Sequence, residues 1–367
     1  MSDELKSKAS LVGDQVCGTC HQEKMRTFHL TAHAKTSTLA SSSAIHGKFV
    51  AGSNSLKTIN PNLVFVMESN PQGCFQTAHL RTSASEQLTR SERIDIVVGS
   101  GRKGQTYLYW DGDKLFQLPV SYWTGLDGWI NSPGYVDGTA EFDRPIDGRC
   151  LECHSSSFEN EPPTLNRYKA SSMVLGISCE KCHGPGSEHV ARFRSGSPPK
   201  AYSDFAIVNP AKLSRARQLD VCALCHEGSG TPLTPALSYS PGDALSRHIS
   251  FGKLPPNAPV DVHASQIQLL ERSRCFRSTT TLTCITCHDV HTPQRDTAAF
   301  ASRCLTCHQV ENCRIFPAQG HAIDTKCIDC HMPLQQTGKI VALLDGEAVR
   351  PSVRNHQIAI YPQKTLP

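Results

Sequence analysis

One pentapeptide pattern recurs seven times in the 367-residue chain: two cysteines three positions apart, followed at once by a histidine. The copies are Cys17-Gly-Thr-Cys20-His21, Cys150-Leu-Glu-Cys153-His154, Cys179-Glu-Lys-Cys182-His183 and Cys222-Ala-Leu-Cys225-His226. Cys284-Ile-Thr-Cys287-His288, Cys304-Leu-Thr-Cys307-His308 and Cys327-Ile-Asp-Cys330-His331 complete the set, numbered here as motifs 1 to 7. They take up fourteen of the 17 cysteines and seven of the 17 histidines. Whatever the fold, each copy must present two thiols and one imidazole to the same group.

C-x-x-C-H is the attachment pattern of c-type haem. Two thiols at this spacing each form a thioether to one vinyl group, and the adjacent imidazole lies beneath the iron as its proximal ligand. Two other chemistries use C-x-x-C pairs. Zinc ribbons do, and the 16 residues between Cys287 and Cys304 fit their spacing. Zinc, however, does not require a histidine after every second cysteine, and ribbon knuckles come in even numbers. Redox dithiols do not require the histidine either. The expectation is seven covalently bound haem c groups.

Composition agrees. Only 38% of residues are apolar, thin for a chain of this length, so porphyrin is expected to supply part of the core. The formal charge of +4 becomes about −3 once seven ferric haems add roughly −7 through their propionates. No run of five like charges marks a nucleic-acid arm. No apolar run is long enough to cross a membrane. The start, MSDELKSKAS, has no apolar signal region. Covalent haem attachment is completed outside the cytoplasm, so a periplasmic or extracellular chain, already processed or trimmed, is expected.

Motif density suggests two regions. Residues 1–148 hold the first motif and a haem-free insertion, while residues 149–367 hold the other six motifs. Residues 22–40 read as a helix carrying Met25, His29 and His33 on one face. Ile94–Val98 reads as a strand. Tyr107–Trp110 and Leu115–Leu118 flank a hairpin turn at Asp111-Gly-Asp-Lys114. Residues 227–262 read as a long surface loop, and Lys339–Leu344 as a late strand. Gly99-Ser-Gly101-Arg-Lys-Gly104 matches a dinucleotide fingerprint, but strand-like residues follow where a helix is required. The expected class is mainly α with long loops, a haem-organised multihaem cytochrome c fold with a small β-rich insertion around residues 90–120.

Ten histidines remain for the second axial position, and methionines are scarce. Bis-His ligation, which gives low potentials, is therefore the default. The distal candidates are His33, His46, His189, His263, His291, His321 and His356. His29 competes with His33, and His79 and His248 are reserves. Of the leftover cysteines, Cys275 and Cys313 bracket motifs 5 and 6 and could form a staple, leaving Cys74.

These segments resemble the multihaem cytochrome c-554/c-prime family. The resemblance rests on Cys17–His21 followed by Phe28 and Thr31-Ala-His33-Ala, and on Cys179–His183 followed by Gly-Pro-Gly-Ser-Glu-His189-Val. It also rests on Cys284–His288 followed by Asp-Val-His291, and on Cys327–His331 followed by Met-Pro333. It implies a mostly helical fold related to hydroxylamine oxidoreductase and pentahaem nitrite reductase, with His33, His189 and His291 as distal ligands. The chain departs from the family in motif number and in its β-rich insertion, and it has no C-x-x-C-K motif.

The favoured activity is electron transfer along mostly bis-His haems, with redox proteins as partners. One alternative is an oxidoreductase with one open haem beside Tyr122, Trp123 and Trp129, acting on a small nitrogen or sulfur compound with Arg102 or Lys103 nearby. Another is a homo-oligomer or extracellular filament.

Overall fold

The computed structural model describes residues 9–84, 86–196, 200–228, 230–256, 258, 260, 265–338, 341–344 and 347–361. It divides into two compact units, each built from separated stretches of chain. Unit 1 takes Met1–Thr31, Cys179–Thr337 and Ser352–Pro367; unit 2 takes Ala32–Ser178 and Gly338–Pro351. Six of the seven motifs thus fall in unit 1, and motif 2 falls in unit 2.

The fold is not mainly α: 28% is helix and 23% is strand. Most of the strand content is in unit 2 and reaches well beyond residues 90–120. Its strands are β1 (Ser37–Leu39), β2 (Ser55–Lys57), β3 (Leu63–Asn70), β4 (Gly73–Arg81), β5 (Gln87–Arg93), β6 (Ile96–Val98) and β7 (Gly104–Asp111). They continue with β8 (Lys114–Gln117), β9 (Val120–Trp123), β10 (Gly128–Asn131) and β11 (Arg144–Pro145). One sheet is the antiparallel meander β2-β3-β4-β5. The other runs β1-β6-β7-β8-β11, with β9 joining β7 to β10.

Side-chain alternation explains these strands. Leu63, Phe65 and Met67 on β3 point into one core while their neighbours do not. That core adds Tyr107, Tyr109, Val120, Tyr122, Trp129 and Phe142. Gln76, fully buried on β4, donates to the Val120 carbonyl (2.7 Å) and accepts from the Val120 N–H (3.0 Å). Its amide thereby satisfies both backbone groups of a residue in the other sheet. Trp129 packs against Phe49, Tyr107 and Tyr122 and donates to the Lys48 carbonyl (3.0 Å). A Cβ on Gly47 would meet the Trp129 ring at 2.0 Å, so the bare backbone is what lets the indole in. The outer strand β5 is polar and exposed, which discourages edge pairing.

The hairpin forms as expected: Asp111 pairs with Lys114 across a turn in which Gly112 has φ +62°. The glycine-rich match at 99–104 is a turn leading into β7, without a nucleotide-binding helix. The expected helix over 22–40 stops at Phe28. Ser37–Leu39 is instead a strand on β6, and the Thr36 carbonyl accepts from Gly99 N–H (2.7 Å). Sheet pairing there outcompetes continued helix. At the other end, Ala342–Leu344 pairs with Glu347–Val349, while Lys339 and Ile340 lie outside the described residues.

Unit 1 is made of short helices and turns. The stretch 227–262 is not merely surface loop. Thr231–Pro232 pairs with Ile249–Ser250, and Tyr239, Leu245 and Ile249 are buried against Ala223 and Leu224 of the motif-4 helix Arg215–His226.

Candidate haem centres

Each motif sits on, or at the end of, a helical turn, which puts its two thiols and its imidazole on one side. Local devices fix these turns. Asp147 caps the motif-2 helix Gly148–Glu152 by accepting from Cys150 N–H (2.9 Å). Thr283 and Thr286 form a capping box on the motif-5 helix Cys284–Cys287. Asp296 caps the motif-6 helix Thr297–Cys304. Arg354 ties down motif 7 by donating to Asp329 (2.5 Å) and to the carbonyls of Ile328 and Met332.

Motifs 1 and 3 are stitched together inside unit 1. Glu180, between the cysteines of motif 3, is 5% exposed. Its carboxylate accepts from the N–H groups of Val12 (2.9 Å), Gly13 (2.8 Å) and Gly186 (2.8 Å). In return Asp14 accepts from Cys179 N–H (2.9 Å), and the Cys17 and Cys179 thiols lie against one another. Further contacts order the unit-1 motifs. The motif-4 helix packs on that of motif 5, motif 5 on motif 6, and motif 6 on motif 7. Cys222 bonds Cys284, which pushes the Cys222 thiol up, and Cys222 also feels Cys182 of motif 3. The attachment turns therefore succeed one another as 1, 3, 4, 5, 6, 7.

Three histidine pairs face each other at one spacing. The ring centroids of His21 and His189 are 6.4 Å apart, those of His183 and His291 6.1 Å, and those of His288 and His356 6.4 Å. Their planes lie within 25° of parallel. That gap is too wide for ring stacking. Two imidazole nitrogens at about 2 Å from one shared metal put the ring centroids roughly 6 Å apart. Each pair joins a motif histidine to one of the expected distal residues. The residues present thus fit an iron held between two imidazoles.

Second partners orient the rings. His183 Nδ1 bonds the Val208 carbonyl, His189 Nδ1 that of Phe205 and His331 Nδ1 that of Ala359, each at 2.8 Å. His356 Nδ1 bonds the Arg354 carbonyl at 3.2 Å. A proton held at Nδ1 leaves the Nε2 lone pair for a metal. Burial pushes His183 and His291 below their ordinary values, and His356, also beside His288, down to about 4. They therefore stay neutral, the form that binds metal.

The other candidates are placed differently. His33 is exposed, and its carbonyl accepts from Ile177 N–H (3.1 Å). His46 is exposed against Gly101. His321 is exposed and bonds Asp324 (3.2 Å). His263 lies outside the described residues. Of the reserves, His79 bonds Gln87 across β4 and β5 (2.7 Å). His248 bonds Thr234 (3.1 Å) beside Tyr239. No disulfide forms among the described residues. Cys275 lies near Cys287 and Cys304, and Cys313 near Cys327 and Cys330, so of the two readings left open for this pair the structure has the free thiols.

Seven attachment turns, three of them with a second imidazole facing the motif histidine, fit covalently bound haem. Residues 135–184, spanning motifs 2 and 3, match the cytochrome c554 and c-prime family. The outer cell wall cytochrome OcwA has a similar fold, with a TM-score of 0.58 and 16% identity over 95% of this chain and 79% of that one. An undecahaem cytochrome from the S-layer of Carboxydothermus ferrireducens aligns with a TM-score of 0.45 and 16% identity, covering 96% of this chain and 52% of that one. No curated protein sequence matches the chain. Among the described residues, no helix is long and apolar enough to cross a membrane.

Proposed function

We propose that the chain is a heptahaem c-type cytochrome that carries electrons through mostly bis-His centres outside the cytoplasm. The observation that carries this reading is the iron-sized gap repeated at His21/His189, His183/His291 and His288/His356. Bound haem supplies a one-electron iron couple. The protein's part is to attach, orient and insulate. The fourteen motif cysteines fix the macrocycles, with His21, His154, His183, His226, His288, His308 and His331 as proximal ligands. His189, His291 and His356 would be the second ligands of three of these haems, which would leave no coordination site for a substrate there. His33, His46, His263 and His321 are the remaining distal candidates. The succession of motifs 1, 3, 4, 5, 6 and 7 supports a continuous row of neighbouring centres in unit 1; motif 2 belongs to unit 2.

Redox proteins are the partners this role needs. The likeness to an outer cell wall cytochrome favours an extracellular setting. Intact mass of the mature protein tests the count: seven added haems are expected, and fewer would overturn it. Electron paramagnetic resonance of the oxidised protein tests the ligation. Low-spin signals throughout are expected. A high-spin iron would instead favour the open-haem oxidoreductase.

A further inference from the structure

The motif-2 histidine is held by hydroxyls where the rings of the motif-3 and motif-7 histidines are held by backbone carbonyls. His154 Nδ1 lies 2.9 Å from Thr36 Oγ1. The next residue, Ser37, donates its hydroxyl to the His154 carbonyl and accepts from Gly176 N–H (2.9 Å). One dipeptide therefore grips both the ring and the backbone of His154. It is itself rigid, because the Thr36 carbonyl is bonded by Gly99 and Ser37 pairs with Val98. Gly176 completes the grip at φ +73°, where a Cβ would meet the Ala34 carbonyl at 2.3 Å. In motifs 3 and 7 the same ring nitrogen bonds a backbone carbonyl instead.

We propose that Thr36 is a positioning residue that sets the ligand strength of His154 and, through it, the reduction potential of the motif-2 centre. With Nε2 given to iron, Nδ1 carries the proton and the Thr36 oxygen accepts it. A hydroxyl is a weaker acceptor than a peptide carbonyl, so it pulls less on the proton and leaves the imidazole a weaker electron donor. Weaker donation destabilises ferric iron and raises its potential. Motif 2 then has a higher potential than a carbonyl partner would give it, and its partner is a side chain that substitution can alter. This inference rests on the haem-binding reading of motif 2.

The test is a spectroelectrochemical titration of the mature holoprotein with Thr36→Val and Thr36→Ser, with haem content checked by intact mass. Thr36→Val removes the acceptor and is expected to shift one component upward, leaving the others in place. Thr36→Ser keeps the hydroxyl and is expected to titrate like the parent. Unchanged potentials in Thr36→Val, a downward shift, a shift spread over all components, or an equal shift in Thr36→Ser would each overturn the proposal. A parent mass short of seven haems would instead strike the functional reading itself, so the two failures are distinguishable.

Discussion

Units 1 and 2 solve the problem of a core in opposite ways. Unit 2 packs sixteen buried residues, aromatic and aliphatic, between sheets whose strands are long enough to alternate inward and outward. Unit 1 carries most of the motifs on helices of four to twelve residues, shorter than stands alone in water, and its main side-chain cluster has six buried members. The lesson is that side-chain packing specifies unit 2, whereas unit 1, on the haem-binding proposal, depends on what its cysteines and histidines bind.

The strongest way to break this contrast is to make the chain without haem. Amide exchange on the haem-free polypeptide should show β3, β4 and β7 still protected and the unit-1 motif helices exchanging freely. Equal protection in both units would show that unit 1 does not depend on its haems. A smaller effect is expected inside unit 2. Trp129→Ala should cost about 3–5 kcal/mol, because it empties the centre of an aromatic cluster. Denaturant unfolding followed by tyrosine fluorescence measures it, and a cost under about 1 kcal/mol would refute packing as the organiser.

Unit 1 offers the matching polar test. Glu180→Ala strips the partner from three backbone N–H groups and should cost about 2–3 kcal/mol. In the mature protein it should also loosen the N-terminal segment, read as proteolytic nicking near Val12. At the bottom of the scale, Lys169→Ala removes an exposed pair with Glu159 and should change stability by under about 1 kcal/mol.

The sequence made the attachment chemistry readable because that chemistry is local: two thiols and an imidazole within five residues. The hairpin at Gly112 was readable for the same reason. The class was misread because haem motifs do not report what fills the space between them. Residues 55–81 carry strand alternation that the haem-centred reading passed over, and Ser37–Leu39 become a strand only when Ile96–Val98 is there to pair with. His189, His291 and His356 were legible as candidates, but not the motif histidine each one faces. His189 follows motif 3 closely, yet it faces His21 of motif 1, because helix Ser187–Arg194 carries it there. The second partners were invisible. Nothing local to His154 announces a threonine over a hundred residues earlier.

The Glu180 carboxylate has a consequence for the order of assembly. Its partners Val12 and Gly13 precede it by 168 and 167 residues. A chain made from its N-terminus exposes Cys17, Cys20 and His21 long before that anchor exists. Closing so long a loop is slow as well as entropically costly. The first attachment turn therefore lacks this anchor until about half of the 367-residue chain has been made. Long sequence separation here makes the order of the first segment depend on the arrival of motif 3.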